Sequence, residues 1–82
     1  MSRRLHNWSY DNVTDFLKES GFTFYREVGG SHEAWIQYGK DEVPDRIIGM
    51  HFTRSSYSVG TMKRMIHASG IDEDEWVEWG SS

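Results

Sequence analysis

The stretch Phe22-Thr23-Phe24-Tyr25-Arg26-Glu27-Val28-Gly29-Gly30-Ser31-His32-Glu33-Ala34-Trp35-Ile36-Gln37-Tyr38 decides the fold, because it reads as two strands around a tight reversal. Residues 22–28 alternate with period two, Phe22, Phe24 and Arg26 on one face and Thr23, Tyr25 and Glu27 on the other. Gly29-Gly30 supplies the backbone freedom of a hairpin turn, and residues 31–38 continue as a second strand. The turn also delivers His32, a side chain that exchanges a proton near neutral pH, to a place where backbone and ligand can approach closely.

Working outward, Ser9 caps a helix whose Val13, Phe16 and Leu17 follow the spacing of one buried face, with Tyr10 one turn earlier. Gly21 suits the left-handed position that ends a helix, and Phe22 then folds back on the last turn. On the other side, residues 39–45 form a polar loop. Residues 46–52 make a third strand with Ile48, Met50 and Phe52 on one face and Ile47, Gly49 and His51 on the other. Residues 53–58 read as a loop into a second helix capped by Ser58, with Tyr57 and Met62 as a hydrophobic staple. Val59, Met62, Met65 and Ile66 form its buried stripe, and Gly70 ends it. Asp72 and Glu75 pair like a capping box at one last short turn or helix, where Trp76 and Trp79 share a face and close a small core.

The order helix, strand, strand, strand, helix predicts an α+β two-layer sandwich: a three-stranded antiparallel sheet with two helices on one face. The double-stranded RNA-binding domain has this order too. With 82 residues the chain reads as a single domain over 1–82, and a domain of this size buries only about 60–65% of the surface its unfolded chain exposes. Aromatics at 15% supply the bulk such a core needs. There is no cysteine, hence no disulfide framework and no thiolate metal site. No apolar run approaches the roughly 20 residues of a membrane span, and Met1-Ser2-Arg3-Arg4-Leu5-His6-Asn7 is not followed by the apolar stretch of a signal peptide. The expectation is a cytoplasmic protein with no membrane partner.

A net charge of −4 argues against nucleic acid until its distribution is read. Asp72, Glu73, Asp74, Glu75 and Glu78 fall in the last eleven residues, which leaves nine basic against eight acidic residues in 1–70. A body near neutrality can present a local basic face, for which Arg26, Arg46, Arg54, Lys63 and Arg64 are the candidates.

Four pieces, Ser20-Gly21-Phe22, Gly30-Ser31-His32, Ile47-Ile48-Gly49-Met50-His51 and the helix from Gly60 through Met62-Lys63-Arg64-Met65 to Ile71, resemble in order and spacing the HicA family of bacterial toxins over residues 10–76. The resemblance implies a small YcfA-like messenger-RNA interferase of double-stranded-RNA-binding-like fold, from a type II toxin-antitoxin system. It implies that RNA cleavage depends on His32 and that a HicB-type antitoxin covers the active surface.

The chemistry a Gly-Ser-His turn can support is phosphodiester cleavage in RNA, in which a neutral imidazole takes the proton of the ribose 2′-hydroxyl and that oxygen attacks phosphorus. The N–H groups of Gly30 and Ser31 can meet the phosphoryl oxygens, and Arg46, Arg54 or Lys63 can supply charge. His51 is the candidate for the second proton-transfer group, against the reading of a structural residue in an edge strand. His32 has a bland reading as well, a strand-end histidine bonded to a carbonyl. It shares a strand face with Ala34 and Ile36, so reaching substrate requires it to lie at the rim. Asp72-Glu73-Asp74-Glu75 lacks the glycine turn of a calcium loop, and His32, Glu33 and His51 lack zinc spacing. A metal-independent endoribonuclease without cofactors, monomeric when free, is one expectation. The alternative is a noncatalytic RNA-binding or protein-interaction module of the same fold.

Overall fold

A computed structural model describes residues 4–81. Met1, Ser2, Arg3 and Ser82 lie outside the described residues, and with them the start of the segment read above for a signal peptide. The elements run α1 (Tyr10–Glu19), β1 (Thr23–Gly29), β2 (His32–Gln37), β3 (Arg46–His51), α2 (Val59–Ser69) and α3 (Glu73–Ser81). The sheet is antiparallel in the order β1-β2-β3, so the α+β reading holds with a third helix added to it.

Local chemistry accounts for most boundaries. Ser9 Oγ accepts from the Asn12 N–H and the Asn12 side chain accepts from the Ser9 N–H, both at 3.1 Å, a reciprocal cap at the start of α1. At its end Gly21 takes φ 95°, and the N–H groups of Phe22 and Gly21 donate to the carbonyls of Leu17 at 2.8 Å and Lys18 at 3.2 Å. This double bond is the Schellman closure, and it buries Phe22 under the helix. Ser58 caps α2 through Thr61, and Gly70 closes it at φ 72°.

The strict alternation expected for the first strand does not survive. Phe24 pairs with Trp35, Arg26 with Ala34 and Glu27 with Glu33, so the register shifts twice and Tyr25 and Val28 are extra residues. Each shift is a bulge, in which one added residue bends the strand and sharpens its twist. Arg26 therefore leaves the face of Phe24 and joins that of Thr23.

Trp35, Ile48 and Met50 meet Val13, Phe16 and Leu17 of α1 and Met62, Met65 and Ile66 of α2 in one core. Trp8, fully buried before α1, was not anticipated. Its indole stacks on Trp79 at 5.7 Å and 27°, meets Trp76 and Phe16 edge-on, and lies so close to Gly80 that a Cβ there would collide with it. The chain after Gly70 is thus a nine-residue helix docked on α1 and α2 through aromatic rings, and Ser69 links the two helices. The Ser69 hydroxyl donates to the Ile66 carbonyl and accepts from the Ile71 N–H and, at 3.4 Å, from the Trp76 indole. No helix among the described residues is long and apolar enough to cross a membrane.

Candidate functional site

Because Gly29 pairs with His32 across the turn, the hairpin makes His32 the first residue of β2, and the register of β2 with β3 places His51 directly opposite. The two imidazoles meet at the open end of the sheet with ring centroids 6.1 Å apart and planes inclined at 58°. His32 is exposed and His51 half-buried. Ala34 and Ile36, which share the face of His32, are buried yet lie outside the core cluster, since the helices cover the opposite face with Trp35, Ile48 and Met50. The face that carries both histidines is the one without helices.

Tyr57 braces this end. Its hydroxyl donates to the His51 carbonyl at 2.5 Å, its ring stands edge-on to the His51 ring at 5.2 Å, and its N–H donates to the Trp8 carbonyl. Burial, and then the charge of Glu33, push its phenol up to about 12. Glu33 accepts at one oxygen from the Tyr10 hydroxyl at 2.6 Å and the Trp35 indole at 2.7 Å. Burial and that bond raise the Tyr10 phenol as well. A phenol that holds its proton more tightly when folded contributes stability that is complete below pH 10 and lost as pH rises toward 12. Tyr57→Phe is expected to cost about 1 kcal/mol at pH 8 through the lost hydrogen bond, and to flatten the fall in stability above pH 10. Urea midpoints at pH 8, 10 and 11 check it. Equal slopes in both proteins would contradict the burial of this hydroxyl.

An open cleft of about 380 Å³ lies over this end, lined among others by Val28, His32, Glu33, Gly49, His51 and Arg64. Arg64 donates to the Gly49 carbonyl at 3.0 Å. Gly30, at φ 56°, and Ser31 form the turn beside His32 and, like Arg54 and Lys63, are not among the cleft-lining residues. Arg46 lies farther off: it pairs with Gln37 at the other end of β3, five residues or about 17 Å from His51. Its guanidinium lies where a Cβ on Gly70 would fall, against the end of α2. Arg54, in the loop after β3, and Lys63, on α2, are exposed and are not among the cleft-lining residues. Arg64 takes the place expected of them. The helical wheel sets it away from the stripe of Met62, Met65 and Ile66, so its approach depends on how α2 lies on β3, which no local pattern encodes.

A second cleft of similar volume lies between α1 and α3, lined by Phe16, Ser20, Glu75, Glu78 and Trp79. Two carboxylates there would repel a phosphate. The Ser20 carbonyl accepts from Gln37 at the far end of β2, which places the Ser20 side of this cleft toward the end of the sheet remote from the histidines. Among the described residues no three His, Cys, Asp or Glu side chains gather closely enough to hold a metal ion.

The fold and cleft together define an α+β domain of α-β-β-β-α-α order with a paired-histidine site. Compared with protein-family models, curated proteins and solved structures, the chain matches none. Two imidazoles about one small group apart can serve a single reaction as proton acceptor and proton donor, which is the chemical capacity of this end of the sheet.

Proposed function

We propose that the protein is an endoribonuclease of toxin type, acting on messenger RNA in the cytoplasm and held inactive by a HicB-type antitoxin that covers the cleft. The observation that carries this reading is the register pair His32 and His51, two proton carriers 6.1 Å apart on an uncovered sheet face. Neutral His32 takes the 2′-hydroxyl proton, the 2′-oxygen bonds to phosphorus, and the 5′-oxygen leaves with a proton from cationic His51. A 2′,3′-cyclic phosphate and a 5′-hydroxyl result. Charge that builds on the phosphoryl oxygens meets the N–H groups of the Gly30-Ser31 turn, while Arg64, which lines the same cleft as Glu33, offers its guanidinium to them.

The resemblance to HicA toxins supports the same assignment, since Gly30-Ser31-His32 is the turn that presents the first histidine and Ile47-Ile48-Gly49-Met50-His51 the strand that ends on the second. Expression of the chain in growing cells tests it. Growth arrest with degraded messenger RNA is expected, relieved by His32→Ala. Normal growth and intact RNA on expression of the folded wild-type protein would favour the noncatalytic module.

A further inference from the structure

One row along the strands from the histidine pair, the open face carries Arg26 opposite Ala34 and Ala34 opposite Gly49, and Arg64 reaches the Gly49 carbonyl from beyond the strand edge. Two small residues thus lie between two guanidinium groups. A Cβ built on Gly49 meets nothing within 4 Å, so the space above this strand is open. Among the described residues neither arginine forms an ion pair: Arg26 lies over the Tyr25 ring at 5.8 Å and Arg64 is held by a carbonyl. Carboxylates are absent from the register positions of this face. Glu27 and Glu33 pair with each other in a row that points to the helix side, and Asp41, Glu42 and Asp45 belong to the loop at the far end of the sheet.

We infer that the row Arg26, Ala34, Gly49 and Arg64 is a phosphate-binding trough for the nucleotide adjoining the cut in single-stranded RNA, a subsite that rests on the endonuclease reading. The bulges make it possible. Were Tyr25 regularly paired, Arg26 would fall on the helix side, and were Val28 regularly paired, it rather than Gly29 would stand opposite His32. Residues two apart in a strand lie about 7 Å from each other on one face, a step of the order of one nucleotide in an extended single strand. The small floor lets the sugar-phosphate approach the sheet while the guanidinium groups bind its charge, and the row is compatible with any base sequence.

The test measures binding apart from cleavage. In a His32→Ala background, the affinity for a labelled oligouridylate is measured by fluorescence anisotropy across a salt series. Neutralising both arginines, Arg26→Gln with Arg64→Gln, is expected to weaken binding about tenfold at 0.1 M salt and to lower the slope of log affinity against log salt by about 1.4, for two lost contacts to a single strand. Gly49→Val, which fills the trough with a side chain suited to a strand, is expected to weaken binding with the slope unchanged. Arg46→Gln, at the other end of β3, should bind as the background protein does. Denaturant melts confirm that each variant is folded. Unchanged affinity in the double arginine variant, or an equal loss with Arg46→Gln, would overturn the subsite. Binding that follows the expected pattern in a protein whose wild type never cuts RNA would retain the subsite and refute the endonuclease. Cleavage by a wild type whose trough variants bind unchanged would do the reverse.

Discussion

His32→Ala is expected to lower RNA cleavage by about 10²–10⁴-fold while moving stability by less than about 0.5 kcal/mol. The asymmetry follows from its position. The side chain is exposed at the first residue of β2, makes no hydrogen bond among the described residues, and contributes nothing to the core, so its removal deletes a proton acceptor and little else. His51→Ala is expected to reduce cleavage as well, with a larger cost in stability because its ring packs on Tyr57. The reaction needs one imidazole as proton acceptor and the other as proton donor, so neither histidine alone should sustain the wild-type rate. Rates of single-turnover cleavage, with denaturant midpoints for each protein, measure both parts. A His32→Ala protein that cuts at the wild-type rate would show that the histidine pair does no chemistry.

Trp76→Ala is expected to cost about 3–5 kcal/mol, the usual consequence of truncating a fully buried indole. A chain of this size has a total stability of about 4–12 kcal/mol, so the variant loses much of what holds it folded. Trp76 is fully buried, its ring centroid lies 4.3 Å from that of Phe16 and 5.7 Å from that of Trp8, and its indole N–H reaches Ser69. Removing it would leave a void where three elements meet and detach α3 from α1. The thermal midpoint should fall by more than about 10 °C. A loss under about 1 kcal/mol would mean that α3 contributes no packing.

Elements closed by local chemistry were legible in the residues themselves. Ser9, Ser58, Gly21 and Gly70 each bring their own cap, so helix ends follow from neighbouring residues, and the glycine pair marks the hairpin, although the turn falls on Gly30-Ser31, one residue later than expected, with Gly29 paired in β1. The bulges at Tyr25 and Val28 were not legible, because neither residue differs in type from an ordinary strand residue and the shift is decided by what lies across on β2. Trp8 and Leu5 sit in a segment without periodicity, and the burial of Trp8 depends on α3 arriving from the far end of the chain. The same division runs through the site. His32 was placed by its turn, whereas the exchange of Arg46 for Arg64 as the cleft's cation required the β2–β3 register and the lie of α2.

End-group analysis of the cut RNA tests the central claim most directly. The purified protein, incubated with RNA in excess EDTA, is predicted to leave 2′,3′-cyclic phosphate or the derived 3′-phosphate together with 5′-hydroxyl ends, and RNA carrying 2′-O-methyl groups at the cut should resist. Each feature follows from an imidazole base acting on the substrate's own hydroxyl. Products with 5′-phosphate and 3′-hydroxyl ends, formed only with added magnesium or manganese, would contradict the mechanism and the roles given to His32 and His51.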